Sequence, residues 1–431
     1  MKYSIVTFGC RVNQADSLAF EEQLTAHGAT AALANEADLV IVNTCSVTAS
    51  ADQSARQAVR RLAHANPDAK VVVTGCYATR RPDEFLASPN VLRVVPNGAK
   101  AELVSLLSVD FDLTTSERFG DGDGSCGATI EPGVAGRTAF TLRVQTGCAQ
   151  PCAYCIIPTT RGAPKSVSIG AILAEAERVV DAGFKEIALT GVHLGSYGRD
   201  LEPASSLLDL LRALQEMRLR PDVLFRVSSL EPMDCTPEIV GLVAGSRRFA
   251  PHFHLPLQHA SNRVLAAMRR PYTLERYSSL VDDIRGRIPH ASIGSDVIVG
   301  FPGETDEEFE QLCAYLERAP LTHVHVFPYS DRPGTVASSM TGKVHGSVVR
   351  VRASRVREIG QRLKESFKQS QLGTIHQGLT LEDGSLVVTG NYLKVRIPPG
   401  RKRNEWVDVR VTGANEAGMT GEITSPGYQI T

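Results

Sequence analysis

No stretch of this chain approaches the run of about 20 apolar residues that a membrane helix requires. The opening residues, Met1 to Cys10, likewise lack the apolar core of about 7 to 15 residues and the cleavage site of a secretory signal. Both absences predict a cytoplasmic protein with no membrane partner. Bulk charge of one sign is missing too, since 46 Lys and Arg face 47 Asp and Glu, for a formal net charge of −1. Such a balance does not argue against a local basic surface. One segment is locally basic: Arg350, Arg352, Arg355, Arg357, Arg362, Lys364 and Lys368 are answered within it only by Glu358 and Glu365. A disulfide framework is not expected, because the cysteine count, nine, is odd and a reducing compartment keeps thiols free. Metal binding is the better use for them. No solenoid-type repeat is present.

What is present suits a folded protein of several domains. A chain of 431 residues with 42% hydrophobic and 22% charged residues predicts two to four packed units rather than one core. Residues 1–113 alternate β-branched runs with amphipathic helices, one over Gln14 to His27 ending at Gly28 and one over Ser50 to Ala65 ending before Pro67, the pattern of an open, mostly parallel α/β sheet. Residues 114–137, with Gly120-Asp121-Gly122-Asp123-Gly124-Ser125, read as an exposed linker. Residues 138–368 carry six strand candidates: Phe140 to Gln145, Glu186 to Thr190, Leu224 to Ser228, Phe253 to Leu257, Ser292 to Val299 and His323 to Phe327. Helical patterns such as Ala171 to Ala182, Ser205 to Met217 and Thr305 to Glu317 separate most of them, as in a partial (β/α)6 barrel with right-handed crossovers. After a basic helix around Val348 to Gln369, residues 369–431 turn to short strands punctuated by Gly and Asp, the signature of a small antiparallel β-barrel.

Chemistry enters with Cys148, Cys152 and Cys155, in the run Gly147-Cys148-Ala149-Gln150-Pro151-Cys152-Ala153-Tyr154-Cys155. This C-x3-C-x2-C spacing suits three irons of a four-iron cluster and leaves the fourth open to the amino and carboxylate groups of S-adenosylmethionine, whose reductive cleavage yields a 5′-deoxyadenosyl radical. A zinc site would use paired C-x2-C ligands and a fourth Cys or His at fingerlike spacing, and none follows. In this triad the chain resembles the radical-SAM superfamily.

Cys10, Cys45 and Cys76 are far apart in sequence yet share one setting. Tyr3 to Phe8 leads to Gly9-Cys10, Leu39 to Thr44 to Cys45, and Val71 to Gly75 to Cys76, so each thiol follows the carboxyl end of a buried strand. That edge of an open parallel sheet is where ligands bind, and three thiols there point to a second iron–sulfur cluster. Small thiols also fill cores, a reading that explains one such cysteine better than three. Gly9-Cys10-Arg11-Val12-Asn13-Gln14, Asn43-Thr44-Cys45-Ser46-Val47-Thr48 and Thr74-Gly75-Cys76-Tyr77, with the first triad and a terminal barrel, resemble the methylthiotransferase family over essentially the whole chain. The runs Thr190 to Asp200 and Arg226 to Pro232 are similar to its MtaB group, which acts on N6-threonylcarbamoyladenosine at position 37 of tRNA. One departure is the loop Arg161-Gly162-Ala163-Pro164-Lys165-Ser166-Val167, where relatives carry Arg-Gly-x-x-Arg-Ser-Arg; Lys keeps charge but lacks the planar fork of Arg.

The resemblance implies an N-terminal methylthiotransferase domain, a central radical-SAM domain and a C-terminal TRAM domain contacting RNA. It implies two 4Fe-4S clusters, S-adenosylmethionine as methyl donor and radical source, a tRNA anticodon stem-loop as substrate, an electron donor of flavodoxin or ferredoxin type, and a monomer. The same six cysteines would serve methylthiolation of isopentenyladenosine-37 or of a ribosomal-protein aspartate, and a zinc-stabilised RNA-binding protein is the nonenzymatic alternative. Candidate cofactor contacts are Tyr154 against the adenine, Gly191 at the methionine end, Ser228 at the ribose, Gln258 at a strand end, and Val299 and Phe327 as an apolar wall; each has an ordinary structural reading beside it. His252, His254 and His259 read as hydrogen-bonded barrel histidines: alternation puts His252 and His254 on one face, but no acidic partner or Cys completes a metal site. Cys126, Cys235 and Cys313 read as nonligands. Lys394, Arg396, Arg401, Lys402 and Arg403, with Tyr392 nearby, suit RNA phosphates and bases, and Trp406 suits the barrel core.

Overall fold

The computed structural model describes residues 1–111, 132, 138–218, 222–415 and 418–426. They fall into two units, one built from the described part of 1–130 with 146–150 and 155–164, the other from the described part of 131–145 with 151–154 and 165–431. The linker expected over 114–137, with Cys126, lies outside the described residues apart from Pro132.

In the first unit, strands β1 (Lys2–Thr7), β2 (Thr30–Ala31), β3 (Leu39–Thr44), β4 (Lys70–Gly75) and β5 (Val91–Val95) form one parallel sheet in the order β2-β1-β3-β4-β5. Every residue of β3 is buried, as befits a central parallel strand covered on both faces. Alternation sends Ile41 and Val72 to one side, where Phe20, Leu24, Leu103 and Leu107 pack from helices Arg11–Ala26 and Leu103–Phe111. Val40, Val42, Val71 and Val73 face the other side against Ala55 and Val59 of helix Ala49–Ala65. Each fully buried aliphatic contributes about 1.5–3 kcal/mol, so burial on both faces stabilises the sheet.

The second unit carries β6 (Ala139–Arg143), the short pieces β7 (Gln145–Thr146) and β8 (Lys165–Ser166), then β9 (Glu186–Thr190), β10 (Leu224–Val227), β11 (His252–His254), β12 (Ser292–Val299) and β13 (His323–Pro328). The six longer strands appear as two parallel sheets, β10-β9-β6 and β11-β12-β13, with a bridge between Phe225 and Phe249 joining the series. Helices alternate with them, capped as the sequence suggests: Ser206 and Thr305 each make a reciprocal capping box, with Asp209 and Glu308. The fourth strand is shorter than the expected Phe253 to Leu257, because Pro256 has no N–H to give the ladder and the chain turns through Gln258 at φ 67°.

The basic stretch forms helix Gly346–Ser370, and its charge is answered from outside its own sequence. Arg352 bonds Glu304 and Asp306 at 2.6 Å each, Arg355 bonds Glu310, and Arg362 bonds Glu317, the acidic partners coming from or just before helix Asp306–Arg318. Beyond it, β14 (Ile375–Leu381), β15 (Leu386–Thr389), β16 (Lys394–Arg396), β17 (Trp406–Asn415) and β18 (Gly418–Pro426) close into a barrel in the order β14-β15-β16-β18-β17. Its pairing is antiparallel except for β16 with β18, the parallel pair that completes closure and leaves no sheet edge. Gly378 is required there, since a Cβ would lie 2.4 Å from Val387 Cγ1. Among the described residues no helix is long and apolar enough to cross a membrane.

Candidate active site

The first unit brings Cys10, Cys45 and Cys76 to one sheet edge. They follow β1, β3 and β4, which are adjacent strands, so their order in space is decided by the strand order. Glycine makes the approach possible at two points: Gly9, at φ 90°, would place a Cβ 2.5 Å from Cys45 Sγ, and Gly75, at φ 100°, would place one 2.2 Å from Thr44 O. Burial pushes the Cys45 thiol up to about 11, opposed by a hydrogen bond from the Val47 amide and reinforced by the neighbouring Cys10 and Cys76. Asn97 Nδ2 lies 3.5 Å from Cys76 Sγ and also donates to Thr160 O at 2.8 Å.

Behind these thiols is a buried ionic network absent from any local motif. Lys100 Nζ reaches Asp16 Oδ2 at 2.8 Å and Asn43 Oδ1 at 2.9 Å, and Arg161 Nη2 reaches the same Asp16 oxygen at 3.2 Å and Asn13 Oδ1 at 2.5 Å. Burial presses the Lys100 ammonium down, with Asp16 opposing. Burial also works against the Arg161 charge, yet Cys76, Asp16 and Cys10 raise it above the usual guanidinium range. Two buried cations thus share one carboxylate, and the surplus positive charge faces the cysteines. The sequence marks Arg161 only as a loop charge, and no local pattern in it points to Lys100 or Asp16.

Cys148 and Cys155 also lie in the first unit. The Cys148 amide donates to Gly162 O at 3.0 Å, and its sulfur lies 3.4 Å from the Gln150 amide. Gly147, at φ 74°, leaves no room for a side chain, since a Cβ would lie 2.0 Å from Ala163 O.

In the second unit Cys152 Sγ accepts a hydrogen bond from Arg270 Nη1 at 3.1 Å, while Arg270 pairs with Glu231 and donates to Tyr272 Oη at 3.2 Å. Burial raises the Cys152 thiol and Arg270 opposes it. Tyr154 packs with Ala153, Met268, Ile298, Phe301 and Phe327 in one apolar cluster. Of the expected wall residues, Phe327 packs against the same cluster as Tyr154. Val299 is fully buried, and alternation along β12 places its neighbour Ile298 in that cluster. Gly191 is crowded by Leu194 and by Gln145, whose Oε1 accepts from the Val192 and His193 amides at 3.0 and 2.9 Å. Among the described residues the buried Ser228 hydroxyl has no partner, and Gln258 backbone groups bond Asp296 O and the Ile298 amide, each at 2.8 Å.

The two runs that point to a substrate class are structural anchors as well. Asp200 accepts from both the amide and hydroxyl of Ser166, at 2.8 and 2.6 Å, and His193 bonds Asp234 at 2.9 Å. Arg226 is fully buried, bonded to Glu186 at 2.7 Å and to Gly390 O at 2.8 Å, with its guanidinium 4.6 Å from the centre of the Tyr392 ring. Trp406 Nε1 donates to Asp222 O at 2.7 Å beside Leu224, Ala250 and Leu379. Arg226 and Trp406 thus dock the terminal barrel on the strands, whereas Lys394, Arg396 and Lys402 are exposed on its surface. Cys235 and Cys313 are buried, which pushes their thiols up to about 12 and about 11, in keeping with inert core cysteines.

Comparison with known proteins agrees with this arrangement. The model of Uncharacterized protein family UPF0004 matches residues 2–96, and that of the Radical SAM superfamily matches residues 142–316. The threonylcarbamoyladenosine tRNA methylthiotransferase MtaB of Aquifex aeolicus is 35% identical over 402 residues, covering 92% of this chain and 96% of that protein. The chain belongs to the radical-SAM methylthiotransferase family, of MtaB type. A ribosomal protein uS12 methylthiotransferase, RimO of Roseiflexus castenholzii, is 32% identical over 469 residues, covering 98% of this chain and 96% of that one. The radical S-adenosylmethionine methyltransferase TsrM of Kitasatospora setae, solved with cobalamin and a [4Fe-4S] cluster bound, shares the fold at a TM-score of 0.57 and 16% identity over 78% of this chain and 73% of its own.

As a methylthiotransferase the protein is an enzyme that uses S-adenosylmethionine and two [4Fe-4S] clusters. The residues present suit those groups. Thiolate sulfurs are the usual cluster ligands, the first-unit thiols adjoin surplus positive charge, and Cys152 receives an N–H of the kind that stabilises a cluster sulfur.

Proposed function

We propose that this methylthiotransferase inserts a methylthio group at C2 of N6-threonylcarbamoyladenosine at position 37 of tRNA, with the anticodon stem-loop as its binding target. The observation that carries the proposal is the near full-length likeness to proteins named for that reaction, 35% and 33% identical over 402 and 407 residues. We assign Cys10, Cys45 and Cys76 to an auxiliary cluster and Cys148, Cys152 and Cys155 to the cluster that binds S-adenosylmethionine. We also propose the domain division 1–113, 114–137, 138–368 and 369–431, a cytoplasmic monomer, and a flavodoxin or ferredoxin type of electron donor.

When bound, these groups supply a radical able to abstract hydrogen from an unactivated aromatic carbon, together with a methyl group and sulfur. The rest of the work is the chain's own. Arg270, fixed by Glu231, holds Cys152 and offsets its negative charge. Tyr154, Ile298 and Phe327 form an apolar wall that excludes water and stray hydrogen donors. Lys100 and Arg161 lend positive charge to the thiols of the first unit. Exposed Lys394, Arg396 and Lys402 on the barrel offer phosphate contacts.

The test supplies anaerobic enzyme, reductant and S-adenosylmethionine with two tRNA pools, one carrying threonylcarbamoyladenosine and the other isopentenyladenosine, and measures methylthiolated nucleosides by mass spectrometry. A site that hydrogen-bonds the polar substituent leaves donors unpaired against the apolar one, so conversion of the first pool is expected. Preference for the isopentenyl pool overturns the assignment. Inactivity on both, with clusters intact, favours the ribosomal-protein aspartate, a reading that the RimO likeness keeps in view.

A further inference from the structure

We propose that His254, Asp296 and His325 bind one divalent transition-metal ion of the zinc or ferrous class, independently of the six cluster cysteines. The three residues come from the neighbouring strands β11, β12 and β13. Parallel register sets His254 opposite Gly294, sets Gly294 opposite His323, and sets Asp296 opposite His325, so alternation turns all these side chains to one face. Gly294 leaves space that His323 fills, its Nε2 lying 2.2 Å from where a Cβ would stand.

The ligand atoms of His254, Asp296 and His325 all lie within 4.8 Å of one another. His254 Nε2 and Asp296 Oδ1 are 3.0 Å apart. Metal bonds of about 2.0–2.2 Å place adjacent ligands about 3 Å apart, so this edge already has the right length. His325 is exposed and needs only a side-chain adjustment to close the set.

A hydrogen-bonded His–Asp pair is the simpler account of the same atoms, and charge is what tells against it. Among the described residues the only ion-pair partner of Asp296 is His254, and the nearby rings are those of His323 and His325, 6.4 and 5.7 Å from that of His254. With no Lys or Arg paired to it among the described residues, a half-buried carboxylate surrounded by three imidazole rings is complemented by a bound cation. Ser229 Oγ lies 2.7 Å from His254 Nδ1, an outer contact that fixes the ring and directs Nε2 to the site. Two imidazoles and one carboxylate favour zinc, iron or cobalt over magnesium or calcium. Three protein ligands leave positions open for water or for an oxygen of a bound molecule.

The experiment uses the full-length holoenzyme with both clusters reconstituted, treated with EDTA, desalted and titrated anaerobically with zinc chloride against a chromophoric chelator. One zinc per chain beyond the cluster iron is expected in the wild type and in His252→Gln. Asp296→Asn should lose it, and His325→Gln should weaken it roughly tenfold or more. Equal zinc uptake by wild type, Asp296→Asn and His325→Gln overturns the proposal, as does no uptake by the wild type. Iron content and circular dichroism report folding, and if Asp296→Asn fails to fold, His325→Gln at its exposed position decides the matter.

Discussion

Arg270 donates from Nη1 to the sulfur of Cys152 at 3.1 Å, and Glu231 holds the guanidinium in that position. With Cys152 as the cluster ligand proposed above, a hydrogen bond and a positive charge at its sulfur would stabilise the reduced, more negative state and raise the reduction potential. Replacing Arg270 with Leu should lower the potential of the cluster that binds S-adenosylmethionine. A charged-group hydrogen bond is worth about 1.5–3 kcal/mol, or roughly 65–130 mV for one electron. Redox titration followed by electron paramagnetic resonance measures this, and an unchanged potential would leave Arg270 with a purely structural role.

Lys100 and Arg161 divide Asp16 between them inside the first unit, and the side chain of Asp16 is fully buried. Removing one partner of a buried pair costs about 3–5 kcal/mol when the other is left alone. Asp16 would keep Arg161, so Lys100→Met should cost less, about 2–3 kcal/mol. Denaturant unfolding of the variant should show the loss. A change near zero would mean that the network is not charged as drawn.

The two triads predict how iron divides over the chain. Anaerobic protein should carry two four-iron clusters, and replacing Cys148, Cys152 and Cys155 with Ala should halve the iron and abolish cofactor cleavage. Replacing Cys10, Cys45 and Cys76 should also halve it but leave some cleavage to 5′-deoxyadenosine. Full iron in the second variant would remove the auxiliary-cluster assignment.

Acid should destabilise the fold through His259. Burial pushes this histidine down to about 4, with Glu308 opposing, and its side chain is fully buried. An unfolded histidine titrates near 6.5, so between about pH 6.5 and 4 the unfolded chain binds a proton that the native state refuses. Stability contributed by the neutral ring is therefore complete above about 6.5 and declines as pH falls. Between pH 7 and 5 the upper limit is roughly 2 kcal/mol. His376, also lowered to about 4 by burial but less enclosed, should add a smaller share in the same direction. Denaturation of wild type and His259→Gln at several pH values is the check, and parallel curves would remove His259 as the cause.

Much of the site is legible in the order of residues. Cys148, Cys152 and Cys155 are close in sequence, so spacing alone reveals them, and Cys10, Cys45 and Cys76 each follow a strand whose apolar run is readable. The helix Gly346–Ser370 is legible as basic, but its neutralisation is not, because Glu310 and Glu317 lie on another helix. Arg226 illustrates the same gap: within a run that points to substrate recognition, it proves to be a buried clamp on the terminal barrel.

Periodicity and spacing within short windows are enough to specify the parallel sheet, the strand and helix alternation, the closing barrel and the two thiol sets. Packing in three dimensions, and nothing local, puts Ile298 rather than Val299 with Tyr154 and Phe327, because a one-residue change of face depends on how β12 meets its neighbours. Packing likewise brings Lys100 to Asp16, Arg270 to Cys152, and Asp296 to His254 and His325. These pairs are separated by tens of residues or more, and a charge finds its partner by burial and strand register, which no local pattern encodes.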